Sequence, residues 1–109
     1  VRYESKSNLQ TLSFDPKTQK TTGEPIWVTR GDRELSNPSL SPNGEEYVLR
    51  ILSRTQEDLG IIGKDGSNQR SLTTDKFRER LPIWSPDGKK IVFATDRSGK
   101  YQIWMINPD

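Results

Sequence analysis

Short runs in which apolar and polar positions alternate recur along the chain, cut at intervals by proline, glycine and Asx residues. Over residues 46–52, Tyr47, Leu49 and Ile51 fall on one side of a predicted β-strand, and over residues 90–95 Ile91, Phe93 and Thr95 do the same. Val48 and Val92 point to the opposite sides and are also apolar. Both faces of these strands are therefore expected to be covered by neighbouring sheets. Third strands are predicted over 58–64 and 101–107, and fourth strands over 24–28 and 69–72. No apolar pattern at helical spacing persists, and prolines and glycines interrupt it too often, so no helix is predicted.

The punctuation repeats. Asn37-Pro38-Ser39-Leu40-Ser41-Pro42-Asn43-Gly44 returns 44 positions later as Leu81-Pro82-Ile83-Trp84-Ser85-Pro86-Asp87-Gly88. At the same spacing Val28-Thr29 falls on Leu72-Thr73, Leu59 on Ile103, Ile61 on Met105 and Asp65 on Asp109. A weaker copy starts at Asn8-Leu9-Gln10-Thr11-Leu12-Ser13-Phe14-Asp15, followed by an expected polar loop over 16–24 and then Pro25-Ile26-Trp27-Val28-Thr29. Ser-Pro-Asn-Gly and Ser-Pro-Asp-Gly are hairpin corners: proline presets φ, the Asx tolerates the next turn position, and glycine takes the left-handed one. A period in the low forties built of short strands and turns suits the four strands of one propeller blade.

Residues 81–104 combine Trp84-Ser85-Pro86-Asp87-Gly88, Ile91-Val92-Phe93-Ala94-Thr95 and Asp96-Arg97-Ser98-Gly99-Lys100-Tyr101-Gln102-Ile103-Trp104. This segment closely resembles the TolB-like β-propeller repeat. The copy over 37–65 departs from it, with Asn43 for the aspartate, Ser53-Arg54-Thr55-Gln56 for the Asp-Arg-Ser-Gly hairpin, and Gly60 where the tryptophan stands. The expected fold is all-β, with blades of four antiparallel strands in an incomplete ring: the last three strands of a blade over 1–29, a complete blade over 37–73, and the first three strands of another over 81–109. The resemblance implies six or seven blades closed into a ring. A piece of one exposes apolar faces and strand edges, so the rest of the ring, or self-association through the open blade edges, is expected to cover them.

The chain has 109 residues, of which 29% are apolar, so the core is expected to be thin. Lys and Arg exceed Asp and Glu by only two, and the signs are interspersed, which argues against nucleic-acid binding by this segment. No membrane span or signal peptide is legible. Neither cysteine nor histidine is present. That removes disulfides, thiol nucleophiles, Cys/His metal sites and the commonest general base. Ser41 and Ser85 sit in Ser-Pro-x-Gly rather than in a nucleophile elbow, and no Ser-His-Asp triad can be assembled within the chain. Glu45 and Glu46 alternate across a strand and cannot act together on one bond. Asp15, Asp65 and Asp109 read as turn formers rather than calcium ligands. Trp27, Trp84 and Trp104 read as blade packing rather than sugar stacking. No catalytic residue, cofactor or metal is expected.

Loops before the first strand and between the second and third share one face of the disc: 30–36, 54–57, 74–80 and 96–100. The most distinctive is Thr74-Asp75-Lys76-Phe77-Arg78-Glu79-Arg80, whose aromatic and cations are types enriched at interface hot spots. Lys76, Phe77, Arg78, Arg80 and Arg97 form the candidate partner-binding loop. Asp96-Arg97-Ser98-Gly99 is expected to be a structural hairpin in which Asp96 bonds its own turn. The expected function is a non-catalytic, TolB-like scaffold for protein or peptide partners, in the periplasm or another extracytoplasmic compartment. The alternatives are the propeller domain of a prolyl-oligopeptidase-like or tricorn-like serine peptidase, and the sensory propeller of a kinase or transcription regulator.

Overall fold

The computed structural model describes residues 6–31, 33–53 and 55–109. It is all-β: nine strands in three antiparallel sheets, with no helix among the described residues. The first sheet pairs β1 (Gln10–Asp15) with β2 (Lys20–Trp27). The second runs β3 (Glu34–Leu40), β4 (Glu46–Leu52), β5 (Glu57–Gly63), β6 (Arg70–Ser71) in spatial order. The third runs β7 (Glu79–Trp84), β8 (Ile91–Thr95), β9 (Gln102–Ile106). Each strand neighbours the next in sequence, as in the blades of a propeller, and the arrangement stays open. A strand ahead of β1 would involve residues 1–5, which lie outside the described residues.

The two corners form as the turn chemistry dictates. Ser41 N donates to Glu46 O (2.7 Å) and Gly44 N to Ser41 O (2.8 Å), with Gly44 at φ +75°. The Ser41 hydroxyl donates to Asn43 Oδ1 and accepts from Glu46 N. Ser85, Asp87, Gly88 and Lys90 repeat the same bonds. Those bonds hold the Asp87 carboxyl below the usual carboxylate range, chiefly through the Ser85 hydroxyl. Both inner strands also bulge at one place, so that Asn37 and Leu81 take φ of 52° and 54°.

Three expectations about element limits are corrected. Residues 20–24 are strand rather than loop: Asp15 O accepts from Gln19 N, Asp15 Oδ1 from Lys17 N, and the hairpin closes within a few residues. A polar surface strand gives no apolar alternation to read, and every residue of β2 is exposed. The inner strands begin at Glu34 and Glu79, shortening the loops expected over 30–36 and 74–80. The outer strand expected over 69–72 is only Arg70–Ser71.

Packing between the second and third sheets makes the main core. Val48, Leu59 and Ile61 on one side meet Trp84, Ile91 and Phe93 on the other, all buried. Each fully buried side chain of this size stabilises by roughly 1.5–3 kcal/mol relative to exposure. The opposite face of the second sheet gathers Leu35, Leu49 and Ile62, flanked by Tyr47 and Ile51. Val48 and Leu49, adjacent on one strand, thus serve two different cores.

Candidate binding site

The turns β4–β5 and β8–β9 and the connections β2–β3 and β6–β7 lie at one end of the sheets, because successive strands are antiparallel. Around the third sheet this end is held by one side chain. The Arg97 guanidinium donates to Glu79 Oε1 (2.6 Å) and Asp75 Oδ2 (2.9 Å) and to the Thr95 hydroxyl (3.3 Å). It lies between two rings, 5.0 Å from the Phe77 centroid and 4.7 Å from that of Trp104. Cation–π attraction strengthens as water is excluded, and the Arg97 side chain is mostly buried. Burial pulls Arg97 toward the neutral form, but Glu79 and Asp75 outweigh it and its pKa is raised. Glu79 has no exposed side-chain surface, and one of its carboxylate oxygens has no hydrogen-bond partner. Burial raises its pKa against the bonds from Thr95 and Arg97.

A second ion pair joins the second and third sheets. Arg80 donates through Nε and Nη2 to the two oxygens of Glu57, the latter bond at 2.8 Å, and stacks on Tyr101 at 5.2 Å. Arg50 lies 3.4 Å from the same carboxylate. The Arg80 hydrogen bond is the main reason that Glu57 titrates below the ordinary range, against the opposing effect of burial. Backbone ties complete the frame: Arg78 N donates to Asp96 Oδ1 (2.8 Å), Phe77 N to Asp75 Oδ1 (3.0 Å), and Gln56 Nε2 to Asp75 O (2.9 Å).

The five candidate residues therefore divide. Lys76 and Arg78 are exposed on the connection, and Phe77 is half-buried beneath Lys76, whose Nζ stands 5.6 Å from the ring. Arg80 lies within β7 rather than in the loop, opposite Ala94, and is bound to Glu57. Arg97 anchors the loop from the next hairpin. The expectation that Asp96 bonds its own turn is corrected: its carboxylate accepts from Arg78 N across the sheet, and only its backbone carbonyl closes the turn, to Gly99 N at 2.9 Å. Glu79, Glu57 and Asp75 were not singled out in the sequence. The repeat held the clue, since Glu79 puts a carboxylate at the core position that Leu35 fills in the earlier copy. Arg54 and Asp32, in the expected loops, lie outside the described residues.

Trp84 is the packing residue expected, at 8% exposure, whereas Trp27 (46%) and Trp104 (40%) stand on open surfaces. Asp15 and Asp65 both accept bonds within their turns. No cluster of metal-ligating side chains occurs among the described residues.

No family model matches the chain. A TolB-assigned structure from Agrobacterium tumefaciens superposes with a TM-score of 0.67 at 27% identity, covering 78% of this chain and 30% of that one. The chain has the fold and repeat of a TolB-like β-propeller fragment. A TolB homologue of Chlorobium luteolum is 30% identical over 106 residues, 88% of this chain and 24% of the relative. Dipeptidyl-peptidase 5 of Porphyromonas gingivalis is also 30% identical, over 107 residues, 89% of this chain and 15% of the relative. These TolB-like blades thus span less than a quarter of the length of either curated relative.

Proposed function

We propose that these TolB-like blades form a non-catalytic scaffold that binds protein or peptide partners through the loop end of the third sheet, in an extracytoplasmic compartment. The observation that carries this reading is the β6–β7 connection. It presents exposed Lys76 and Arg78 around Phe77, while Arg97, Asp75 and Asp96 hold it in one shape. A loop ordered before binding loses less conformational freedom on association. Glu57, Glu79 and Asp75 at this end are engaged by arginine side chains of the chain itself, which suits a surface that orders loops. We divide the chain into the end of one blade over 1–29, a whole blade over 37–73 and the start of another over 81–109.

Peptides selected from a displayed library on the immobilised 109-residue chain test the reading. Against Lys76→Ala/Phe77→Ala/Arg78→Ala, their affinity is expected to fall at least tenfold, about 1.4 kcal/mol or more. Lys76→Ala/Arg78→Ala alters only exposed side chains and controls for misfolding. Peptides that bind both variants as tightly as the parent chain defeat the proposal.

The match to dipeptidyl-peptidase 5 favours a second reading, in which the blades belong to the propeller of a serine peptidase and restrict access to a separate catalytic domain. In that case a Ser-His-Asp triad is completed outside this segment, which has no histidine.

A further inference from the structure

Three arginines gather on one buried carboxylate at the junction of the second and third sheets. Arg80 binds both oxygens of Glu57, Arg50 Nη2 stands 3.4 Å from one of them, and Arg78 is bridged to Glu57 through the backbone. The Arg80 hydrogen bond and the charges of Arg50, Arg80 and Arg78 together hold Glu57 below the ordinary carboxylate range, against its burial. Asp96, the other carboxylate whose field reaches Arg80, accepts the Arg78 N–H. Positive charge is therefore in excess here, with Lys76 exposed two residues before Arg78. Around Arg97 the balance is the opposite, one guanidinium facing both Glu79 and Asp75.

The repeat does not require this excess. At the spacing of 44, Arg50 corresponds to Ala94, Arg78 to Glu34, Arg80 to Ser36 and Glu57 to Tyr101. One arginine suffices to neutralise Glu57, and Arg80 does so with two parallel hydrogen bonds. Arg50 is left with a buried Nε that has no partner among the described residues. A buried cationic donor without a partner is destabilising, and an anion drawn to the guanidinium offsets that cost. Arg50 and Arg80 keep 21% and 38% of their side-chain surface open, so an anion can reach both.

We propose that this junction receives an acidic side chain, an aspartate or glutamate of a bound peptide, against the guanidinia of Arg50, Arg78 and Arg80. The inference rests on the reading of the loop end as a peptide-binding surface, and it names the class of peptide. The Arg80 fork stays on Glu57 and keeps the two sheets joined, while Arg50 and Arg78 supply the uncompensated charge. Complementary charge of this kind steers encounter and selects among peptides, and salt weakens it by screening.

The probes are fluorescein-labelled peptides of alternating serine and glutamate, with matched serine–glutamine and serine–lysine peptides, titrated into the 109-residue chain and read by fluorescence anisotropy. Saturable binding of the glutamate peptide is expected, at least about tenfold tighter than either control. Arg50→Gln leaves the Arg80–Glu57 pair in place, and Arg78→Glu installs the residue type of the earlier repeat; each weakens binding at least about fivefold. Lys17→Gln/Lys20→Gln removes two exposed cations of the β1–β2 hairpin, at the opposite end of the sheets, and leaves binding unchanged. If Arg50→Gln misfolds, Arg78→Glu on the exposed connection decides. No saturable binding of the glutamate peptide, equal binding of the glutamine peptide, or the same loss from the lysine variant overturns the proposal. Tighter binding of oligothymidylate, lost in the same arginine variants, overturns it in favour of nucleic acid. The scaffold reading is judged separately on the library peptides: if these lose affinity with Lys76→Ala/Phe77→Ala/Arg78→Ala yet carry no acidic residues, only the acidic class fails.

Discussion

Leu35 and Glu79 stand at the same place in consecutive repeats, and only one of them is apolar. Around Leu35 the second sheet has Ile51 and Gly60, the counterparts of Thr95 and Trp104. A side chain at Gly60 would press on the tip of the Ile51 side chain, which would have to move. The third sheet fills the same volume with Glu79, Thr95, Arg97 and Trp104, an ionic solution to the problem that the second sheet solves with hydrocarbon. Removing one partner of a buried pair strands the other, whereas replacing both with apolar groups is often neutral. Arg97→Ala is accordingly expected to destabilise the chain by about 3 kcal/mol in urea denaturation. Adding Glu79→Leu, which restores the residue type of the earlier repeat, recovers most of the loss. A double variant no more stable than the single one would show that Arg97 acts through its ring contacts instead. The cations of this site were legible from residue type and Glu79 from its place in the repeat, but which arginine each carboxylate meets is set by which loops come together in space.

At the level of strands, the alternation predicted β4, whose two faces are both packed, and β8, whose Ile91, Phe93 and Thr95 are buried while its other face has no covering sheet among the described residues. The corners were equally legible, since Ser-Pro-Asx-Gly specifies its turn through the bonds of its own side chains. β2 escaped because its side chains meet water on both faces, and β6 because two residues leave too little pattern. Tryptophans were assigned to packing as a class, yet only Trp84 is enclosed by two sheets. Trp84→Ala is expected to cost about 3–5 kcal/mol by leaving a cavity in the core. Trp27→Ala, at an exposed position, should cost under about 1 kcal/mol in the same denaturation experiment. Equal effects would contradict the placement of the core between the second and third sheets.

On the scale of the molecule, each sheet buries itself only against its neighbours, so stability is local to junctions and unequal along the chain. The junction of the second and third sheets holds the largest buried cluster and the Arg80–Glu57 pair. The first sheet is tied to the second more lightly, through Ser7 and Leu35 and through the approach of Gly66 to Val28. Apolar side chains remain on the outer faces, Ile83, Ile103 and Met105 at one end and Leu12 and Phe14 at the other. Ile103 and Met105 are the counterparts of Leu59 and Ile61, which are fully buried where a next sheet covers them. The central claim is that these are propeller blades held together at their mutual faces, with the binding end framed by the strongest junction. Residue-resolved amide exchange of the 109-residue chain tests it most directly. The slowest amides are expected in β4, β5 and β8, with β1 and β2 exchanging fastest. Uniform protection across the three sheets, or the slowest exchange in β1 and β2, would contradict the account.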